Sequence, residues 1–208
     1  MTRLVLASSS PARLALLRSS GIDPEIVLPD ADEEALTQAA KQENPDLKAE
    51  QLVSLLAKAK AESVLSNSST HGALVLGGDS ALELQGEILG KPHEPEIAIK
   101  RWQNLSGNQG VLHSGHYLVD NRFPNNPVGA SMVSSTKVFF SKLSDQEIRD
   151  YVATGEPLKV AGAFTIDGLG GAFIDRIEGD SHTVVGLSLK VLRELAAGFG
   201  VHYPSFWR

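Results

Sequence analysis

The sequence predicts an α/β protein, because short apolar runs of strand length alternate with longer amphipathic segments of helical period. The 208 residues, of which 42% are hydrophobic and 21% charged, suffice to bury a substantial core. Neither an internal repeat nor a clear linker interrupts this alternation. We therefore expect a single domain over residues 1–208.

The first strand and helix are predicted at the N-terminus. Leu4–Ala7 has the composition of a short buried strand, and a helix is expected over Pro11–Ser20, with Ser10 as N-cap and Gly21 as C-terminal stop. Backbone N–H groups at a helix start attract phosphate, and Arg13 follows one turn later. The local sequence alone favours ordinary capping over an anion site.

An acidic cluster follows a strand that is predicted around residues 25–28. The segment Asp30-Ala31-Asp32-Glu33-Glu34 places four carboxylates in five residues. Such clusters are usually solvated loops, but near a phosphate site they offer the oxygen ligands that divalent cations take.

Asp79 is the most informative residue of the chain. The apolar run 73–77 leads into Gly77-Gly78-Asp79-Ser80, which predicts a strand that stops at the glycines and places a carboxylate at the end of the sheet. The alternative is an aspartate that hydrogen-bonds its own backbone in a turn. This segment alone does not decide between them.

The other elements are predicted from periodicity and turn chemistry. They are a helix over 48–65, with Lys60 beside its apolar stripe; a hairpin over 81–89 around Gln85-Gly86; a helix over 95–105; strands over 111–119 and 132–140, joined by a loop over 120–130; a helix over 144–153; and a helix over 187–197. Between the last two helices, the glycine-rich segment 162–171 suits close approach of a ligand to the backbone.

A series of motifs runs along nearly the whole chain. They are Leu6-Ala-Ser-x-Ser-Pro-x-Arg-x-x-Leu-Leu17, Asp32-Glu33, Leu56-Ala-x-x-Lys60-Ala, Gly77-x-Asp79, Gly90-Lys91-Pro92, Leu105-Ser-Gly107, Gly155-Glu156-Pro-Leu158, Ala161-Gly162 and Val184-Val-Gly-Leu187. Their order and spacing resemble the Maf family of nucleoside triphosphate pyrophosphatases. The resemblance implies an elongated mixed β-sheet flanked by helices, with two lobes around an active cleft, as in the inosine triphosphatase-like superfamily.

The resemblance also implies a reaction and a set of site residues. The expected reaction is metal-dependent hydrolysis of a nucleoside triphosphate, with Mg²⁺ or Mn²⁺, to the monophosphate and pyrophosphate. Asp79, Lys60 and Lys91 are the expected catalytic residues, and Glu33 and Asp79 the expected metal ligands. Ser8, Ser10, Arg13, Ala12, Ser80, Glu156 and Asp167 are the expected substrate-binding residues, the role of Glu156 being the least defined.

Three positions depart from both branches of the family. The branch that resembles dTTP and UTP hydrolases has Arg, Thr and Gln there, and the branch that resembles 7-methyl-GTP hydrolases has Trp, Gln and Glu, whereas this chain has Ala12, Ser80 and Asp167. An ionised aspartate only accepts hydrogen bonds and so suits the donor-rich edge of guanine. We expect a roomy pocket that accepts several triphosphates, with a guanine or modified guanine nucleotide at or near the top.

Composition excludes several other classes. The net charge of −6 and the pI near 5.5 argue against a nucleic-acid-binding face. No apolar stretch approaches a membrane span, and the absence of cysteine excludes disulfides and thiol chemistry. We expect a cytoplasmic protein, and the resemblance suggests a homodimer.

Two other functions remain open at the level of sequence. One is a nucleotide-binding regulator of cell division or septum formation with little or no turnover, which the family name suggests. The other is a phosphohydrolase that removes the γ-phosphate. Identification of the reaction products separates both from a pyrophosphatase.

Overall fold

The computed structural model describes residues 2–208 and confirms a mixed α/β fold. Its strands are β1 (Leu4–Ala7), β2 (Glu25–Ile26), β3 (Leu74–Leu84), β4 (Glu87–Leu89), β5 (Gln109–Asp120), β6 (Val128–Phe140) and β7 (Ile174–Glu178). Over the described residues these seven strands form one sheet in the order β2-β1-β3-β5-β6-β7, with β4 paired to β3. β1 is parallel to β2 and β3, whereas the β3–β4 and β6–β7 pairs are antiparallel.

Helices flank the sheet. They are α1 (Pro11–Ser19), α2 (Glu33–Glu43), α3 (Ala49–Ser63), α4 (Pro95–Leu105), α5 (Asp145–Ala153), α6 (Ser181–Val185) and α7 (Leu189–Gly198). Short 3₁₀ segments occur at Ser68–Thr70, Glu156–Lys159, Ala161–Ala163, Leu169–Phe173 and Tyr203–Phe206. Within residues 2–208, no helix combines the length and apolar character that crossing a membrane requires.

The chain divides into two compact units. The first comprises Met1–Asp79, Ser114–Ser134 and Gly186–Arg208, and the second comprises Ser80–His113 and Ser135–Val185. Each unit has its own buried apolar side chains. That residues 1–208 form a single domain stays a prediction.

The core of the first unit covers both faces of β1. Leu4 and Leu6 belong to a cluster that also contains residues of α1 and α7. Val5 and Ala7 belong to a second cluster with Ala61 of α3. Because successive side chains of a strand point to opposite faces, this division follows from the unbroken apolar run of β1.

The core of the second unit is built around Trp102 of α4, which is fully buried. Its ring makes edge contacts with Phe140, Tyr151 and Phe173 at centroid distances of 5.8, 5.3 and 5.8 Å. Its indole N–H donates a 2.7 Å hydrogen bond to the carbonyl oxygen of Ala163. The bounds of α4 confirm the helix predicted over 95–105.

One strand differs from prediction in a way that changes the site. β3 does not stop at Gly77 but continues through Asp79 to Leu84. Asp79 therefore lies in the middle of a strand and not at the end of the sheet, so the first expectation for its position was wrong. Gly77 and Gly78 interrupt the apolar pattern of β3 without ending the strand. At Gly77, the helix α3 occupies the space that a side chain would need.

The hairpin prediction is confirmed. β3 and β4 pair antiparallel on either side of Gln85 and Gly86, which have φ angles of 53° and 85°. Positive φ at both central residues is the requirement of the type I′ turn that suits two-residue hairpins.

The acidic segment 30–34 is only partly a loop, whereas such clusters are usually loops throughout. Asp32 caps α2 by accepting a hydrogen bond from the Ala35 N–H at 2.9 Å, and Glu33 and Glu34 form the first turn of that helix. α2 has no buried residue, and its apolar positions are a single leucine and alanines, which give a weak periodic signal.

Other boundaries shift by a few residues. β2 is shorter than the strand predicted over 25–28, whereas β5 and β6 extend beyond the predicted strands and leave a loop of only 121–127. α6 and β7 were not predicted, because each has only five residues, too few for a periodic pattern.

Candidate active site

Three charged side chains of the first unit meet at one point. The Nζ atom of Lys60, on α3, lies 2.7 Å from Oδ1 of Asp79 on β3 and 2.9 Å from Oε2 of Glu33 at the start of α2. Only 6% of the Lys60 side chain and 13% of the Asp79 side chain are exposed. A buried ammonium requires charged partners, so these contacts fix the lysine in place. We call this group the Glu33–Lys60–Asp79 cluster.

Close packing of β3 on α3 explains why Asp79 and Lys60 meet. A Cβ atom added at Gly77 would lie 2.2 Å from the carbonyl oxygen of Ala57 and 2.9 Å from the Cβ of Ala61, so only glycine allows this approach. Side chains alternate along a strand, and Asp79 therefore points to the same face as Gly77, toward α3.

The opposite face of β3 lies against Arg13. A Cβ atom added at Gly78 would be 3.2 Å from the Nε atom of Arg13. The guanidinium is buried, and it donates to the Gly186 carbonyl oxygen at 2.7 Å and to Oγ of Ser8 at 3.1 Å. These contacts hold Arg13 beside the strand that carries Asp79.

Arg13 is also coupled electrostatically to the cluster. Burial lowers the pKa of its guanidinium, while the negative charges of Asp79 and Glu33 oppose that shift. An arginine remains protonated at physiological pH even so. The two cations, Arg13 and Lys60, therefore balance the two carboxylates.

The start of α1 is capped as predicted. Oγ of Ser10 accepts from the Arg13 N–H at 3.4 Å, and Oγ of Ser8 accepts from the Ser10 N–H at 3.2 Å. Ser8 is buried, and Ser10 and Ala12 are half-buried. That this helix start binds a phosphate stays a prediction.

The chemistry of the cluster suits a divalent cation. Carboxylate oxygens of Glu33 and Asp79 both lie within 3 Å of the same Nζ atom, so two hard oxygen donors converge on one cationic position. Asp32, in contrast, is committed to capping α2. Within the acidic segment, Glu33 is the carboxylate that the fold directs toward Asp79.

The second unit carries the remaining predicted residues. Ser80 follows Asp79 in β3 and is half-buried, whereas Lys91 and Asp167 are exposed. Asp167 lies in the glycine-rich segment, just before the 3₁₀ turn Leu169–Phe173. Exposure makes Lys91 and Asp167 accessible to a ligand, and their roles stay predictions.

Glu156 has the most extensive contacts among the predicted residues of the second unit. Its Oε1 accepts from Oη of Tyr151 at 2.8 Å and from the Gly170 N–H at 2.9 Å, and its Oε2 accepts from the Leu169 N–H at 2.9 Å. Burial raises the pKa of the Glu156 carboxyl, but these hydrogen bonds lower it by more, so the net shift is downward.

Two residues that hydrogen-bond to predicted site residues were not themselves predicted. The carbonyl oxygen of Gly186 accepts from Arg13, and the hydroxyl of Tyr151 donates to Glu156. Gly186 lies in the motif Val184-Val-Gly-Leu187, so a signal for it was present in the sequence. Tyr151 had no such signal, since it occupies an apolar position of α5.

Comparison with known proteins adds a family assignment to this geometry. A family model described as "Maf-like protein" matches residues 3–199. A protein of Leifsonia xyli subsp. xyli named nucleoside triphosphate pyrophosphatase is 51% identical over 99% of this chain and 96% of its own length. A protein of Salinispora tropica with the same name is 48% identical over 99% of this chain and 87% of its own length. A solved HAM1 protein from Coxiella burnetii superposes with a TM-score of 0.45 at 12% identity, covering 94% of this chain and 91% of that one.

Proposed function

Because the chain belongs to the Maf family, we propose that it hydrolyses nucleoside triphosphates to the nucleoside monophosphate and pyrophosphate. The observation that carries this proposal is the convergence of Glu33 and Asp79 on Lys60 in a chain whose relatives bear the name nucleoside triphosphate pyrophosphatase. A largely buried strand carboxylate with a lysine beside it supplies both a proton acceptor and positive charge, which hydrolysis of the phosphoanhydride bond needs.

In the proposed mechanism, water attacks the α-phosphorus of the triphosphate. Asp79 accepts a proton from that water as the new oxygen–phosphorus bond forms, and the bond from the α-phosphorus to the bridging oxygen breaks. The electron pair of that bond leaves with pyrophosphate. Lys60 neutralises charge that develops on the phosphate oxygens, at a position where low exposure strengthens its field.

Glu33 and Asp79 would hold a divalent cation, either Mg²⁺ or Mn²⁺. When bound, that cation supplies neutralisation of phosphate charge and acidification of the attacking water. Glu33 suits this role because 43% of its side chain is exposed, which leaves room for a further contact besides Lys60.

The remaining predicted residues are assigned to the substrate. Arg13, with Ser8 and Ser10 at the start of α1, would bind the phosphates, and Lys91 in the second unit would contribute a further positive charge. Ala12, Ser80 and Asp167 would determine which base is preferred.

The assembly and location belong to the same proposal. We propose a cytoplasmic homodimer that acts on nucleotides and binds neither nucleic acid nor membrane. Of the aromatic side chains near the C-terminus, Phe206 is buried in the core of its own unit and Tyr203 packs on it. Trp207 remains 50% exposed. Light scattering at micromolar concentration tests the dimer, and a monomer would refute it.

Product analysis tests the proposed reaction. The purified protein is incubated with Mg²⁺ or Mn²⁺ and a panel of ordinary and modified triphosphates, and the products are separated. Pyrophosphate together with the monophosphate supports the proposal. Orthophosphate together with the diphosphate would indicate a γ-phosphohydrolase. Binding without any product would favour a nucleotide-binding regulator, such as one of cell division or septum formation.

A further inference from the structure

The carboxylate of Glu156 is engaged by donors of its own unit. Three hydrogen bonds, from Tyr151 Oη and from the N–H groups of Leu169 and Gly170, fill most of the four acceptor positions that a carboxylate has. A carboxylate is also repelled by phosphate. Glu156 is therefore poorly suited to hold a triphosphate itself, although it belongs to a motif of the family.

These hydrogen bonds fix the start of a 3₁₀ turn. The first N–H groups of a helical turn have no partner within it, and Glu156 accepts two of them at the start of Leu169–Phe173. A Cβ atom at Gly168 would lie 2.4 Å from Oε2 of Glu156. The backbone of Gly168–Gly170 thus rests directly on the carboxylate.

Tyr151 is a rigid part of the same arrangement. Its ring makes edge contacts with Trp102 and Phe173, each at a centroid distance of 5.3 Å. Burial raises the pKa of its hydroxyl, with the negative charge of Glu156 acting in the same direction, so that the hydroxyl remains a donor. A Cβ atom at Gly170 would lie 2.4 Å from Oη of Tyr151, so the segment is also confined from that side.

We propose that Glu156 is a positioning residue for base selection: it clamps Gly168–Gly170 and thereby sets the place of the exposed Asp167 that immediately precedes this segment. The inference rests on the proposed function, because Asp167 can select a base only if the protein binds nucleotides. It assigns Glu156 an indirect role, through Asp167, in place of direct contact with the substrate.

Hydrogen exchange tests the clamp without relying on activity. Glu156→Gln keeps the size of the side chain but replaces one acceptor oxygen with a donor amide, so a single oxygen remains for Tyr151 Oη and for the N–H groups of Leu169 and Gly170. We expect the amides of Leu169 and Gly170 to exchange on the order of tenfold faster. The control is Glu147→Gln, because Glu147 likewise caps a turn of the second unit, at Ser144, and should leave these two amides unchanged. Unchanged exchange in Glu156→Gln would overturn the proposal.

A double-mutant cycle tests the route through Asp167. For Glu156→Gln, Asp167→Asn and the double variant, kcat/KM is measured with GTP and UTP. We expect each single variant to reduce the preference for one base over the other about tenfold, and the double variant to reduce it no further. Additive losses, or an equal loss of kcat with both substrates, would overturn the proposal. If the wild-type protein releases no pyrophosphate, the proposed function fails, while the exchange experiment still decides whether Glu156 clamps the segment.

Discussion

Lys60 and Asp79 form an ion pair of 2.7 Å in which both side chains are largely buried. The pair forms because a glycine two residues before Asp79 lets α3 approach β3 closely. The carboxylate has little freedom to move, since it lies within a continuous strand and is held by the ammonium of Lys60. Such fixed geometry favours a proton acceptor that must meet a water molecule at a defined angle.

Asp79→Asn is expected to abolish most turnover while the protein remains folded. Asparagine is nearly isosteric but can neither accept a proton nor balance a cation, so kcat should fall about a hundredfold or more. Steady-state kinetics and thermal melting measure the two effects. Glu34→Gln is the matched control, because Glu34 is an exposed carboxylate next to Glu33 that accepts a hydrogen bond from Gln38 of its own helix. Unchanged kcat in Asp79→Asn with intact melting would remove Asp79 from the mechanism.

Metal and nucleotide are expected to bind cooperatively. Arg13 and Lys60 already balance the charges of Glu33 and Asp79, so a divalent cation alone would leave these four side chains with excess positive charge. A triphosphate brings the missing negative charge. Calorimetric titration with Mn²⁺ should show at least about tenfold tighter binding in the presence of a non-hydrolysable triphosphate.

Lys60→Gln tests the same charge balance by removing one of the two cations, and its binding of Mn²⁺ and of the triphosphate is measured by the same calorimetric titration. Loss of the ammonium should strengthen binding of Mn²⁺ alone, because two carboxylates then face one cation, Arg13, and it should weaken binding of the triphosphate. Equal weakening of both ligands would contradict the charge argument and would indicate that Lys60 mainly maintains the structure.

Gly77→Ala is expected to destabilise the protein and impair activity together. The new Cβ atom would lie 2.2 Å from the Ala57 carbonyl oxygen, so β3 and α3 must separate. Overpacking of this kind costs about 2 kcal/mol or more of unfolding free energy, which corresponds to roughly 5 °C in melting temperature. The control is Gly198→Ala at the end of α7, where no atom lies within 4 Å of the added Cβ. Normal stability in Gly77→Ala would show that the two elements can separate at little cost.

The sequence predicts those parts of the fold that have strong local signals. The helix predicted over 144–153 is present, and Ser144 and Glu147 form a capping box at its start. Asp79 illustrates the limit of such signals. Two glycines normally suggest the end of a strand, but here they accommodate α3 and Arg13 on opposite faces of β3. That reason is a tertiary contact, which is not visible in local sequence.

The candidate site was likewise predictable where sequence motifs identify a residue, and not where its contacts depend on tertiary packing. Motif spacing identified Glu33, Lys60 and Asp79, and the structure brings these three together. Spacing did not indicate that the lysine would be paired with both carboxylates, because that depends on how α2 and α3 pack. The contacts of Glu156 were likewise beyond prediction, since they join backbone groups that are 13 and 14 residues away in the chain.

Arg13 and Lys91 are expected to respond differently to truncation. Lys91→Ala removes an exposed charge, so it should raise KM and lower kcat without loss of stability. Arg13→Ala should do the same and also destabilise the protein by about 1–3 kcal/mol, because the buried carbonyl oxygen of Gly186 loses its donor. Kinetics combined with urea unfolding measures both, and Lys100→Ala on α4 is a control for the loss of an exposed lysine. A variant with unchanged kcat and KM would exclude that residue from substrate binding.

Asp167→Gln is expected to change which base the protein prefers. Aspartate offers only acceptors, which suit the N1–H and exocyclic amine of guanine, whereas glutamine also donates and so serves the carbonyl groups of uracil and thymine. Because an unpaired polar group at a base-binding site costs about 1–3 kcal/mol, the ratio of kcat/KM for GTP over UTP should fall about tenfold or more. Asp175→Asn, on β7 of the same unit, is a control for the loss of one negative charge. If Asp167 only faces solvent, the ranking of substrates will not change, and a wild-type preference for uridine or thymidine triphosphate would count directly against this assignment.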